Sequence, residues 1–171
     1  MLIAREFAKG DENCLIDMIK EINNCDGNFE GLTNISKFDD YDEFLKKLEI
    51  CKHQELIKPI YSPQTTFGVF DNDKLIGGFN LRHEIKGDLI HHGGNIGYLI
   101  RPSERGKGYG TKLLKLALEE ARKIGLEKVL ISCRNDNIAS AKVIENNHGI
   151  YENNYYDETL KKDFRRYWIY L

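Results

Sequence analysis

Between residues 94 and 125 the spacing of apolar positions changes character, and the rest of the chain is best read outward from there. Residues 95–101 form a short apolar run that ends at Arg101-Pro102, predicting a strand and then a turn over 102–104. A glycine-rich stretch follows over 105–110. From 111 to 124, Leu113, Leu114, Ala117, Ala121 and Ile124 fall on one stripe of a helix, with Lys112, Lys115, Glu119 and Arg122 on its other faces. Glu119 and Lys123 add an i,i+4 pair, and Gly125 stands where a helix commonly ends.

Upstream, residues 2–7 alternate as a first strand. Asp11 heads a helix to about residue 22 on Leu15, Met18, Ile19 and Ile22. Residues 23–37, rich in Asn, Gly and Asp, read as a loop. Asp40 with Glu43 resembles a capping box for a helix through 54, packed on Phe44, Leu45, Leu48 and Cys51. Its acidic start at Asp39, Asp40, Asp42 and Glu43 is read as complementing the helix dipole rather than recruiting a cationic amine. Residues 65–70 and 74–82 flank Asp71-Asn72-Asp73, a hairpin signal. Gly77-Gly78 suggests a bulge or a close approach, and Gly97 a second bulge that splays the central strand from the next one.

Downstream, 128–132 reads as a buried strand and 137–147 as a helix on Ala141, Val143 and Ile144. Residues 150–155 and 164–171 close the chain as two strands about a charged turn, the last of them interior because it is apolar on both faces from Tyr167 onward. The order predicts an α/β fold with a mixed, mostly antiparallel sheet and helices on both faces.

Composition narrows the class without changing this picture. A chain of 171 residues with 41% hydrophobic and 30% charged content fits one soluble domain over 1–171. No apolar run approaches a membrane span and no signal-type segment opens the chain, so no membrane partner and a cytoplasmic location are expected. Cys14, Cys25, Cys51 and Cys133 lie far apart, as reduced packing thiols would. A net charge of −2 argues against a nucleic-acid partner.

The candidate chemistry sits where the central helix begins. Gly108, Tyr109 and Gly110 stand where Ser, Asp or Asn would ordinarily cap the first turn. The first N–H groups therefore point outward beside Arg105 and Lys107, which suits a phosphate or pyrophosphate. Neither a Walker loop nor a Rossmann fingerprint is present, and an NTP-binding module lacks its lysine and its magnesium-binding Ser/Thr. The run does match [QR]-x-x-G-x-[GA], as Arg105-Gly106-Lys107-Gly108-Tyr109-Gly110. With a strand before it, a strand at 128–132 and Asn137-x-x-Ser140 opening a further helix, it resembles the acyl-CoA pyrophosphate loop of the GNAT superfamily of N-acetyltransferases.

The resemblance is most secure over residues 74–155. It implies a GNAT-like sheet with a splayed central strand pair, and acetyl transfer from acetyl-CoA to an amine of a small molecule or peptide. Tyr98, Leu99 and Ile100 would offer backbone groups to the pantetheine, Arg105, Gly106, Lys107, Gly108, Tyr109, Gly110 and Thr111 would hold the pyrophosphate, and Asn137 would contact the pantetheine or cap its helix. A homodimer is open to such a chain. The sequence departs from the family pattern at two places. Ile144 stands where many relatives carry a thiolate-protonating tyrosine, and Gly94-Asn95 where some carry a glutamate. Glu84 and His92 are the local candidates for the base, and Tyr151, Tyr155 and Tyr156 for the donor. His91 and His92 are adjacent and face opposite ways when extended, so no metal site is expected. The alternative is a non-catalytic acyl-CoA-binding or sensor domain.

Overall fold

The computed structural model describes residues 1–171. In order they form β1 (Leu2–Glu6), α1 (Glu12–Cys25), α2 (Tyr41–Ile50), β2 (Gln64–Asp71), β3 (Lys74–Arg82), β4 (Ile96–Ile100), α3 (Tyr109–Lys123), β5 (Lys128–Arg134), α4 (Ile138–Glu145), β6 (Ile150–Asp157) and β7 (Lys162–Tyr170). The expected single sheet is two antiparallel sheets, ordered β1-β2-β3-β4 and β5-β7-β6. Only the isolated bridge Gly94–Ile131 joins them, and this produces the splayed pair β4/β5.

Helices cover both faces of the first sheet because its strands alternate. Phe79, Leu81 and Ile96 pack with Leu113, Leu114 and Ala117 of α3, while Leu75, Phe70 and Leu99 pack with Leu15, Met18 and Ile22 of α1. Leu75 and Leu81 have the same parity along β3 yet lie in opposite cores. A register shift between Val69 and Phe70, opposite Gly77 and Leu75, reverses the alternation there. The bulge falls on Ile76, beside the glycine pair, and Gly77 and Gly78 serve the close approach that was the other expectation: a Cβ on Gly77 would lie 2.2 Å from Leu99 O and one on Gly78 2.6 Å from Phe67 O. In the second sheet β7 is the middle strand, with Tyr167 and Ile169 buried, in accord with its apolar sequence.

Element ends moved by local hydrogen bonding. Asp11 does not cap α1 with its side chain; its carboxylate takes both the Arg5 guanidinium and the Ala8 N–H at 2.8 Å. Asp40 caps α2 as expected, its Oδ1 accepting from Glu43 N–H at 2.8 Å, but α2 stops at Ile50 and residues 54–56 form a separate 3-10 turn. No helix is long and apolar enough to cross a membrane.

Gly97 is not a bulge. The β3–β4 register runs unbroken from Gly77–Ile100 to Leu81–Ile96. Gly97 serves a close approach instead: a Cβ there would lie 2.3 Å from the carbonyl oxygen of Gly31, and one on Gly31 (φ +92°) would lie 2.5 Å from that of Tyr98. This glycine pair lets the α1–α2 loop lie directly on β4.

Candidate active site

The two sheets are pinned at one end by Asn95 and open toward the other. Asn95 N–H donates to Leu130 O at 2.7 Å, its Oδ1 accepts from Leu130 N–H at 2.9 Å and its Nδ2 reaches Arg82 O. This buried side chain closes the base of the V and continues the pairing for one residue beyond the backbone. Above it, β4 and β5 separate.

The open edge of β4 follows from register. Arg82 N–H donates to Asn95 O and Arg101 N–H to Ile76 O, so Gly97 and Leu99 between them turn their backbone groups to β3. Tyr98 and Ile100 face the slot. Leu99, expected alongside them, turns its backbone groups to β3 instead, with its side chain in the α1 core. The Ile100 carbonyl accepts from Arg105 Nε at 3.1 Å, so the free edge groups are the Tyr98 N–H and C=O and the Ile100 N–H.

Beyond β4 the chain enters the glycine loop. The helix begins at Tyr109, two residues before its apolar stripe predicts, because Gly108 (φ +78°) turns the chain at the cap position. Gly108 supplies no side-chain cap. The N–H groups of Gly106, Lys107, Gly108, Tyr109, Gly110 and Thr111 find no acceptor within the chain. Such a cluster at the positive end of a 15-residue helix suits a polyanion. The cations beside it are committed elsewhere. Arg105 pairs with Asp26 at 2.6 Å, and Glu104 receives Lys107 at 3.1 Å together with Lys74, which holds the Glu104 carboxyl below its usual range. The Tyr109 hydroxyl donates to Asp71 at 3.0 Å and anchors the loop to the β2–β3 turn. The anion-binding capacity of the loop therefore resides in its backbone more than in its side chains.

A cavity of about 350 Å³ occupies the slot, walled by β4 and β5, the α1–α2 loop and the β6–β7 turn. His92 lines it and Glu84 does not. Glu84 is exposed and paired with Lys86 at 2.7 Å, because β3 ends at Arg82 and the following turn carries the carboxylate out to solvent. His92 is held from two sides. Its ring stacks on Phe164 at 5.0 Å, and its Nε2 lies 2.9 Å from Asp157 Oδ2. Asp157 is buried; its other oxygen accepts the Leu160 N–H at 2.7 Å, and that bond, aided by His92, keeps its pKa low. An ionised carboxylate on Nε2 leaves Nδ1 as the nitrogen with a free lone pair.

On the β5–α4 side, Asn137 caps α4 by accepting from Ser140 N–H at 3.0 Å, and it also lines the cavity. Ile144 is fully buried in the α3 core. The hydroxyl one turn before it belongs to Ser140, whose Oγ meets the Tyr98 hydroxyl at 2.8 Å. Burial raises the Tyr98 pKa well above the usual phenol value, so it is a protonated donor. Cys133 lines the same wall, and burial pushes its thiol up to about 11, so it is no thiolate nucleophile at neutral pH. Tyr151 and Tyr156 are exposed on β6, and Tyr155 stacks on His91 rather than entering the cavity.

Sequence reasoning did not single out Asp157, the Tyr98 hydroxyl or Arg82, which the structure places against His92 or in the cavity wall. Asp157 was absorbed into a charged turn, and nothing local marks a residue that acts on a partner so distant along the chain.

No curated protein sequence matches the chain. Solved structures resemble it over nearly their whole length at low identity. The Salmonella typhimurium protein yncA, solved with its cofactor acetyl-CoA, is 17% identical with a TM-score of 0.64, over 99% of this chain and 94% of that one. The ribosomal L7/L12 alpha-N-protein acetyltransferase RimL in complex with coenzyme A is 18% identical with a TM-score of 0.72, over the same shares. The dodecameric spermidine N-acetyltransferase of Vibrio cholerae is 20% identical with a TM-score of 0.62, over 99% and 93%. These likenesses establish the fold. A family model described as acetyltransferase (GNAT) matches residues 29–150, from the loop on β4 through the glycine loop and α4 to the first residue of β6. That span covers most of the chain, and the chain therefore belongs to the acetyltransferase (GNAT) family, enzymes that take their acetyl group from acetyl-CoA.

Proposed function

We propose that residues 1–171 act as one N-acetyltransferase unit whose acceptor is the primary amine of a small molecule or peptide. The observation that carries this reading is continuity. The cavity lined by His92 also borders β4 at Tyr98, and β4 leads along the chain into the free N–H groups of Gly106–Thr111; Asp157 backs His92 from outside the cavity lining. Two of the similar structures are named for amine acetylation, one on spermidine and one on a ribosomal protein, which agrees with an amine acceptor.

When bound, acetyl-CoA supplies a thioester whose C–S bond breaks as the amine forms a C–N bond. The glycine loop binds the pyrophosphate, and Asn137, Tyr98 and Ile100 border the pantetheine path. The Tyr98 N–H, unpaired on the strand edge, is the donor available to a carbonyl oxygen in the slot. His92 Nδ1 accepts the proton that the amine loses, and Asp157 holds the ring in the required tautomer and balances its charge. The Tyr98 hydroxyl, relayed through or backed by Ser140 Oγ, gives a proton to the departing sulfur. It does so from the region that a tyrosine at position 144 would reach, since helical side chains lean toward the N-terminus over the preceding turn.

The test couples binding with turnover. CoA at 100 times its dissociation constant should stabilise the fold by about 2.7 kcal/mol, read as a rise in Tm, and adenosine far less. Free thiol should then appear from acetyl-CoA only when an amine is added. A melting shift with no amine-dependent thiol would indicate a binding domain, and no shift at all would remove the site.

A further inference from the structure

The cavity contains a cation that the reaction above does not use. Arg82 ends β3 at the closed base of the V, partly buried and in the cavity wall. Its Nη1 donates to Gly94 O at 2.9 Å, and no carboxylate lies within ion-pairing distance of it. The acidic group in the cavity wall and the one behind His92 are both committed. Glu30 bridges Arg134 at 3.5 Å and Lys162 at 3.2 Å, and Asp157 serves His92 and the Leu160 N–H. Burial weakens the Arg82 charge only relative to a very basic group, so it stays a cation. Charged side chains taken out of water are ordinarily paired, and a guanidinium with most of its five donors unused facing a cavity calls for a planar anion.

Building on the transferase reading, we propose that the acceptor carries a carboxylate beside its amine, as an amino acid does, and that Arg82 holds that carboxylate while the amine faces His92. The pairing serves the chemistry as well as the binding. A nearby cation favours the neutral form of the amine, the form that attacks. The same arrangement disfavours polycationic amines, since the cavity offers them no uncommitted carboxylate.

The experiment compares matched acceptors on the intact protein with acetyl-CoA. Free amino acids are set against their carboxamides and decarboxylated amines, with spermidine as the polycationic arm. Binding of N-acetyl amino acids and N-acetyl amino amides to the CoA-loaded protein is measured by calorimetry in parallel. A charge-assisted bidentate contact predicts a preference for the carboxylate of roughly tenfold or more in kcat/KM and in affinity. Arg82→Gln should bring both ratios toward one, and Arg82→Lys should restore part of the preference. The CoA-induced melting shift of each variant reports whether it folds. Turnover of amines with no carboxylate preference, a preference for spermidine, or ratios unchanged in Arg82→Gln would overturn the assignment while leaving the transferase reading intact. Absence of both thiol release and a CoA melting shift would instead refute the transferase reading. If CoA binds and amines are turned over, but neither acceptors nor acetylated products show a carboxylate preference, the Arg82 assignment alone falls. If CoA binds and no acceptor releases thiol, the transferase reading falls, and the product-binding ratio and its change in Arg82→Gln still decide the Arg82 assignment.

Discussion

At the scale of single residues, the proposed chemistry depends on what holds each candidate proton carrier. His92 has its tautomer set by Asp157 and its ring plane by Phe164. Asp157→Asn can still accept the Leu160 N–H, so the turn should survive while the charge behind His92 is lost. Turnover should fall by about 10²-fold in both Asp157→Asn and His92→Asn, with the CoA melting shift retained. Glu84→Gln should leave turnover at the wild-type level, since that carboxylate pairs with Lys86 in solvent. A large loss in Glu84→Gln, or none in His92→Asn, would reverse the assignment. For Tyr98→Phe the expectation is a drop of about 10²-fold in kcat with KM for acetyl-CoA little changed, measured by thiol release. The companion Ser140→Ala separates a relay from a simple donor: a relay loses as much as Tyr98→Phe, whereas a donor merely backed by the serine loses less.

At the scale of elements, the decisive junction is that between β4, the glycine loop and α3. Gly108 occupies a left-handed conformation with open space where a Cβ would go. Gly108→Asp therefore places a carboxylate among the free N–H groups that the proposed function assigns to the pyrophosphate. Its own backbone strain should cost about 1 kcal/mol, partly offset by capping of α3. Differential scanning calorimetry should find a folded protein with no CoA-induced shift. A normal shift in that variant would mean that the pyrophosphate binds elsewhere. Asn95 plays the complementary part at the other end of β4, because its side chain is what stops the splay from running through to the base of the sheets.

Across the whole molecule, the N-terminal third is tied to the sheet by ionic contacts that depend on pH. Asp11, nearly inaccessible, binds Arg5 of β1 and the Ala8 N–H, and the Arg5 bond holds its carboxyl below the usual range. The sign follows from the direction. A folded-state pKa below the unfolded value of about 3.9 gives stability that is complete above that value and lost as pH falls through the folded one. Arg5 is partly exposed, which reduces the worth of the pair. Asp11→Asn should destabilise by about 2 kcal/mol at neutral pH. It should also flatten the acid limb of a stability–pH curve measured by urea unfolding. An unchanged acid limb would show that other carboxylates, such as Glu104, govern acid unfolding.

What the sequence by itself determined was whatever rests on neighbours along the chain. The apolar stripe of α3, the β2–β3 hairpin, the Asp40 cap, the Asn137 cap and the uncapped glycine loop all arise from contacts within a few residues, and periodicity exposes them. The candidate anion site over residues 94–110 was legible for that reason. Only tertiary structure decided where the sheet divides, because the division depends on Asn95 meeting Leu130 across 35 residues. Register decided that Leu99 turns away while Tyr98 and Ile100 face the slot; a shift of one residue along β4 would exchange them. Gly97 looked like a bulge from its own strand and proved to be a contact with Gly31, a loop that approaches from far upstream. The same applies to the chemistry. Glu84 and His92 were both candidates in the sequence, Glu84 the more readily taken for a solvated turn, and β3 ending at Arg82 separated them, one into solvent and one against Asp157. Asp157 and Arg82 have no local signature at all, since a carboxylate that orients a histidine and a cation that lacks a partner are properties of what surrounds them in space.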